Sequence, residues 1–146
     1  MCLGGLRIPH DKELVGHSDA DVLLHAVTDA LLGAAALGDI GEMFPDTDPA
    51  NRGRSSLEML AAAREAVAAA GWGVGNVDCI VFAERPKLAP HRLAIRQKLA
   101  EVLALEVSQV GLQAKTGEKL DAVGREEAIA AQCVALLMPY GGDTIP

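Results

Sequence analysis

The chain has 146 residues, half of them apolar, and its 20 acidic and 13 basic side chains leave a net charge of -7. That is enough material for one domain with its own core, and no apolar run is long enough to cross a membrane. The negative charge and an aromatic content of 3% argue against a general nucleic-acid binder, which needs a cationic surface and stacking platforms. Cys2, Cys79 and Cys133 are an odd number at no metal-ligand spacing, so a reducing, cytoplasmic setting is expected and a disulfide framework is not. The N-terminus carries no signal-peptide pattern.

In chain order, Met1 to Pro9 reads as a strand already under way, since apolar residues flank Gly4-Gly5 with no polar lead-in. His10 to Gly16 is a polar connection. A helix is expected from about Asp19 to Leu37, because Ser18 and Asp21 have the spacing of a capping pair and Ala26, Val27, Ala30, Leu31, Ala34 and Ala35 recur at helical period up to Gly38. Two histidines and three acids crowd its start. Asp21 and His25 stand at i and i+4 on one helix face, and His17 precedes the first turn, where free N–H groups and the positive dipole end favour anions. A metal and a phosphate can meet there, although spacing alone is equally met by a solvated helix start and a surface i, i+4 pair.

Phe44 to Gly53 holds Pro45 and Pro49 among turn formers and is expected to be a mobile loop. Ser55 and Glu58 form a second capping pair for a helix from Ser56 to Ala70, closed by Gly71. Val77 to Ala83 is a buried strand that exits through the loop Glu84 to Pro90. Pro90 suits the first position of a third helix, which Leu93, Ile95, Leu99, Val102 and Leu103 carry to about Leu105. Val110, Leu112 and Ala114 alternate in a strand ending at Lys115 to Lys119. In Ala128 to Met138 alanine favours helix, but the lack of charge and the Val and Leu ending favour an inner strand. Tyr140 to Pro146 reads as a frayed tail. The sum is a single α+β domain over residues 1–146, a two-layer sandwich of a mixed sheet with helices on one face. Strands that look buried on both faces call for a homo-oligomer packed sheet to sheet.

Five motifs, G-H-S-D-A-D-V-L-L-H (16–25), G-D-I-G-E-M-F-P-D-T-D-P (38–49), G-N-V-D (75–78), P-K-L-A-P-H (86–91) and A-K-T-G-E-K (114–119), stand in order. With them the chain resembles the 2-C-methyl-D-erythritol 2,4-cyclodiphosphate synthase family of the non-mevalonate isoprenoid pathway, from Leu3 to about Met138. The resemblance implies a homotrimer with active sites between subunits, which converts 4-diphosphocytidyl-2-C-methylerythritol 2-phosphate into the cyclic diphosphate and releases CMP.

Residue by residue, the resemblance makes His17 and Thr116 transition-state stabilisers, Ser18 a substrate contact, and Asp39, Ile40 and Gly41 the ribose-binding turn. Phe44, Pro45, Asp46, Thr47 and Asp48 match the loop over the methylerythritol portion, and Ala83, Glu84, Arg85, Pro86, Lys87, Leu88 and Ala89 the cytidine and phosphate loop. Lys115 and Gly117 flank Thr116 in the phosphate loop, at positions where the family often has threonine. His25 matches a zinc ligand and Glu118 the ligand of a magnesium or manganese ion. Arg125 and Glu127 match residues at the trimer axis, where members can hold an isoprenoid diphosphate. The family takes two further zinc ligands from an aspartate-x-histidine pair upstream of the Gly-Gly strand, so the zinc site is expected to be incomplete in this chain. Asp21, one turn from His25, is the candidate substitute, while structural roles are expected for Asp21 and Asp29 otherwise. Two other readings are a catalytically impaired trimer of the same fold that binds nucleotide or isoprenoid diphosphate, and a metal-dependent phosphohydrolase using His17, Asp21 and His25.

Overall fold

The computed structural model describes residues 1–16 and 18–140. Met1 to Pro9 is not one strand but a hairpin of two antiparallel pieces, β1 (Cys2–Leu3) and β2 (Leu6–Arg7). Gly4 and Gly5 form its two-residue turn with φ of 62° and 79°, the left-handed pair that such a turn requires and only glycine adopts freely.

Helix α1 (Val22–Ala34) is shorter than its periodicity suggests at both ends. Ala20 has a φ of 57°, so the chain cannot be helical there, and Asp21 becomes the N-cap by accepting the Leu24 N–H. At the other end Ala36 turns left-handed and the Leu37 N–H reaches back to the Leu32 carbonyl at 2.8 Å, a Schellman closure that ends the helix before Gly38. Leu23, Leu24, Val27, Thr28, Leu31 and Leu32 are its buried side chains.

A short α2 (Ile40–Met43) precedes the segment expected to be irregular, Phe44 to Gly53, which is partly ordered by a 3-10 turn at Pro49–Asn51. Helix α3 (Ser56–Ala69) follows and ends at Gly71, whose φ is 95°. It buries Met59, Leu60, Ala63 and Val67. Strand β3 (Trp72–Phe82) starts five residues earlier than its β-branched run, because Trp72 to Val74 pair with Leu137 to Pro139. Pro90 sits in a 3-10 turn (Ala89–His91) that leads into α4 (Arg92–Leu103), and α4 ends where Ala104 turns left-handed. Next come β4 (Val110–Lys115), the single turn α5 (Asp121–Gly124) and β5 (Ala130–Pro139).

The sheet order is β4-β3-β5, with β3 parallel to β4 and antiparallel to β5, so it is mixed. Helix α4 makes the crossover that the parallel pair needs. Val77, Cys79 and Val81 point from β3 into a core shared with Leu24, Val27, Leu31, Leu60, Ile95 and Leu99. Within the single chain β5 alternates, and Val134 and Leu136 on its outer face are 74% and 53% exposed. Alternating exposure is what a sheet covered by helices on one side only must show. No helix among the described residues is long and apolar enough to cross a membrane.

Candidate active site

The start of α1 is held by two carboxylates. Asp21 is fully buried, and its oxygens accept the N–H groups of Gly4 (2.9 Å), Gly5 (2.8 Å) and Leu24 (3.0 Å), which ties the hairpin turn to the helix. Burial raises its pKa above the usual aspartate value, the N–H donors only partly opposing the cost of desolvation. With three donors on two oxygens it is a structural clamp and not the substitute metal ligand that its spacing from His25 suggests. Asp19 accepts the Ser56 N–H at 3.0 Å and the Ser56 hydroxyl, and so caps α3 from across the fold; the Ser55 side chain makes no capping bond.

Between these helix starts stands His25. Its Nε2 lies 2.9 Å from Ser56 Oγ and 3.1 Å from Ser18 Oγ. Ser18, His25, Ile40, Gly41, Phe44 and Asp46 line one cavity of about 350 Å³, with Gly16, Asn51 and Met59 completing its wall. His17 lies outside the described residues. The loop over this cavity is pinned at several points. Asp29 accepts the Ile40 N–H at 2.8 Å, Asp39 caps α2 through the Glu42 N–H at 2.8 Å, and Asp48 caps the 3-10 turn through the Ala50 N–H at 2.9 Å. The Asn51 amide donates to the Pro45 carbonyl, and the Arg54 guanidinium stacks 4.8 Å above the buried Phe44 ring. Asp39, Pro45, Thr47 and Asp48 belong to this loop without lining the cavity.

A second cavity, of about 630 Å³, is lined by Glu84, Arg85, Pro86 and Lys87 together with Pro9, His10, Lys119 and Glu126. Ala83 and Leu88, at its edges, are buried. Glu84 accepts the Gly117 N–H at 3.0 Å, and the Ala83 N–H bonds to the Lys115 carbonyl at 2.9 Å, so this loop and the Thr116 loop are joined at two points. Thr116 Oγ1 accepts the Glu118 N–H at 3.3 Å. Gly117 leaves no room for a side chain: a Cβ there would lie 2.5 Å from the Gly124 nitrogen. That approach gives a physical reason for glycine at this position. Lys115, Thr116, Gly117, Glu118 and Ala89 line neither cavity, and Arg125 is paired with Glu127 at 3.1 Å.

The two cavities share no lining residue. Among the described residues no group of three or more His, Cys, Asp or Glu side chains stands close enough to hold a metal ion. A catalytic zinc takes three protein ligands, so His25 alone does not make up that centre, nor Glu118 alone a second one. Asp19, Ser56, Asn51, His10 and Lys119 are the site residues that sequence reasoning missed. Ser56 was hidden by the stronger capping signal of Ser55 with Glu58, and His10 by a connection with no periodicity.

A model of the YgbB family matches residues 1–138. The chain belongs to the YgbB family. Its relatives include the 2-C-methyl-D-erythritol 2,4-cyclodiphosphate synthase of Gemmatimonas aurantiaca, 52% identical over 145 residues, which cover 99% of this chain and 87% of that protein. The synthase of the same name from Pseudomonas putida strain KT2440 is 57% identical over 139 residues, 95% of this chain and 88% of that protein. A solved structure of a 2C-methyl-D-erythritol-2,4-cyclodiphosphate synthase in a CDP-bound form superposes with a TM-score of 0.88 at 41% identity, over 94% of this chain and 89% of that one. The bifunctional IspDF from Campylobacter jejuni gives 0.90 at 39% identity over 97% of this chain, which spans 38% of that longer protein. These YgbB relatives share the α+β architecture with its mixed sheet and helices.

Proposed function

We propose that the chain converts 4-diphosphocytidyl-2-C-methyl-D-erythritol 2-phosphate into 2-C-methyl-D-erythritol 2,4-cyclodiphosphate and releases CMP, as a lyase of isoprenoid precursor synthesis in the cytoplasm. The observation that carries this is the identity of 52–57% to synthases of that name across nearly the whole chain. A relative with bound CDP supports a cytidine nucleotide as ligand.

In the reaction an oxygen of the 2-phosphate attacks the β-phosphorus, that P–O bond forms, and the bond from the β-phosphorus to CMP breaks. The attacking phosphate is already ionised near neutral pH, so the task of the protein is to gather anionic groups and orient them. Lys87 and Arg85 place cationic donors in the second cavity, where the cytidine diphosphate is assigned, with Ala83, Glu84, Pro86, Leu88 and Ala89 shaping the loop. Ser18, His25, Phe44 and Asp46 take the methylerythritol end, with Asp39, Ile40 and Gly41 on the ribose. His17 and Thr116 stabilise the developing charge, and Lys115 and Gly117 set the backbone of the phosphate loop. Zinc at His25 and magnesium or manganese at Glu118 would polarise the phosphates. The described residues offer one donor to each ion.

The separation of the two residue groups into cavities without a common wall supports a homotrimer whose sites are completed between subunits. The exposed row of Val134 and Leu136 supports packing of sheet against sheet. An isoprenoid diphosphate near Arg125 and the trimer axis belongs to the same proposal.

The test is product analysis with the diphosphocytidyl substrate and magnesium. Equal amounts of CMP and cyclic diphosphate are expected. A folded chain that binds CDP and makes no CMP would be the impaired trimer, and inorganic phosphate as product would mark a phosphohydrolase.

A further inference from the structure

Two of the three cysteines meet across the sheet. Cys79 on β3 and Cys133 on β5 stand directly opposite in the antiparallel register, and the Cys79 S–H donates to the Cys133 sulfur at 3.6 Å. Both side chains pack against the core, Cys79 fully buried and Cys133 half-buried. Cys2 stands apart from them, its sulfur meeting the Arg7 guanidinium at 3.8 Å. Neither Cys79 nor Cys133 lines either cavity. Val134 and Leu136 point to the other face of β5, so the proposed sheet-to-sheet contact forms on the side away from this pair.

The backbone already stands where a cross-link needs it. Directly opposed residues of antiparallel strands have Cα atoms about 4.5–5.5 Å apart, inside the range of about 4.4–6.8 Å that a disulfide spans. Only the sulfurs have to approach, to about 2.05 Å, and side-chain rotation achieves that without a slip of register.

We propose that Cys79 and Cys133 form a modification site, oxidised by a hydroperoxide to a cross-strand disulfide and returned to thiols by a reducing dithiol. The hydrogen that Cys79 gives to Cys133, and then its burial, push the Cys79 thiol far above its ordinary range. Cys79 therefore stays protonated, and the half-buried Cys133 is the sulfur that meets the oxidant, through its thiolate form. That sulfur attacks a peroxide oxygen; an S–O bond forms, the O–O bond breaks, and the alcohol, or water from hydrogen peroxide, departs. The Cys79 sulfur next attacks the Cys133 sulfur; the S–S bond forms, the S–O bond breaks, and the hydroxyl leaves as water with the Cys79 proton. The two thiols together lose two electrons and the hydroperoxide gains them. Sulfurs held 3.6 Å apart make the second step intramolecular, close to the separation of about 3–3.5 Å from which bonds form readily. In a reducing compartment such a bond is transient and responds to oxidant, the usual role of a cytosolic disulfide.

The experiment treats the full folded chain with hydrogen peroxide, then counts free thiols by alkylation in denaturant and maps the peptides by mass. The wild type is expected to lose two of its three thiols, to yield one linked peptide pair holding Cys79 and Cys133, to remain monomeric in covalent mass, and to recover both thiols with dithiothreitol. Cys2→Ser should form the same link. In Cys133→Ser the Cys79 thiol should survive, and in Cys79→Ser a sulfenic acid on Cys133 should be trapped by dimedone. Oxidation of Cys2 while Cys79 and Cys133 stay free overturns the proposal. So does Cys133 carried to the sulfinic acid beside a free Cys79, or a link that appears only after the chain is unfolded in urea. Should a variant fail to fold, the wild-type peptide map still decides, and no outcome depends on CMP formation.

Discussion

Asp21 shows how one side chain can be placed by sequence and still be misassigned. Its i, i+4 relation to His25 is real, but three N–H donors take its two oxygens, so the carboxylate works inward. Asp21→Asn leaves at least one buried N–H facing an amide donor and is expected to cost on the order of 2–4 kcal/mol, read from the urea midpoint. The pH dependence has a definite sign. A carboxyl whose pKa is raised by folding favours the fold below its ordinary value of about 3.9 and loses that contribution as pH rises through its folded value. The gap between wild type and Asp21→Asn should therefore narrow as pH climbs above that point, and a widening gap would show that the N–H bonds outweigh desolvation. At the second cavity, Lys87→Ala removes a cationic donor to phosphate, worth roughly 1.5–3 kcal/mol, so kcat/KM for the diphosphocytidyl substrate should fall about 10–100-fold.

At the scale of elements, the hairpin β1–β2 was not legible as a hairpin, because each strand is two residues long and carries no period. Its tight fit is tertiary: a Cβ on Gly4 would lie 2.4 Å from Ile95 Cγ2 on α4, at a φ of 62° that side chains resist. Gly4→Ala should cost about 2 kcal/mol or more, seen as a lower thermal midpoint with the sheet signal retained. The ends of α1 and α4 were also set beyond their own sequence, by alanines in the left-handed region where glycine is the usual signal. The long helices α1, α3 and α4, strands β3 and β4 and the strand reading of residues 128–138 were legible, since burial of one face imposes a period on the side chains.

For the whole molecule, the decisive feature is a sheet with helices on one side and Val134 and Leu136 bare on the other. The many apolar residues of the strands call for cover on both faces, and the single chain supplies it on one. Val134→Asp places a charge in the proposed sheet-to-sheet contact. It should shift the sedimenting species from trimer to monomer and abolish CMP formation while the fold survives; a trimer that persists would move the interface elsewhere.

The sequence alone determined the family, the α+β class, the core face of each long element and those residues around the two cavities that stand in contiguous motifs, because each is written in local pattern or motif; His10, Asn51 and Lys119 reach the cavity walls only through the fold. Tertiary structure alone decided what those residues do to one another. Asp19 reaches Ser56 across 37 positions and Glu84 reaches Gly117 across 33. Such bonds depend on the packing of helices and loops against the sheet, which no local spacing encodes, and it is this packing that turns Asp21 inward and brings His25 to Ser56.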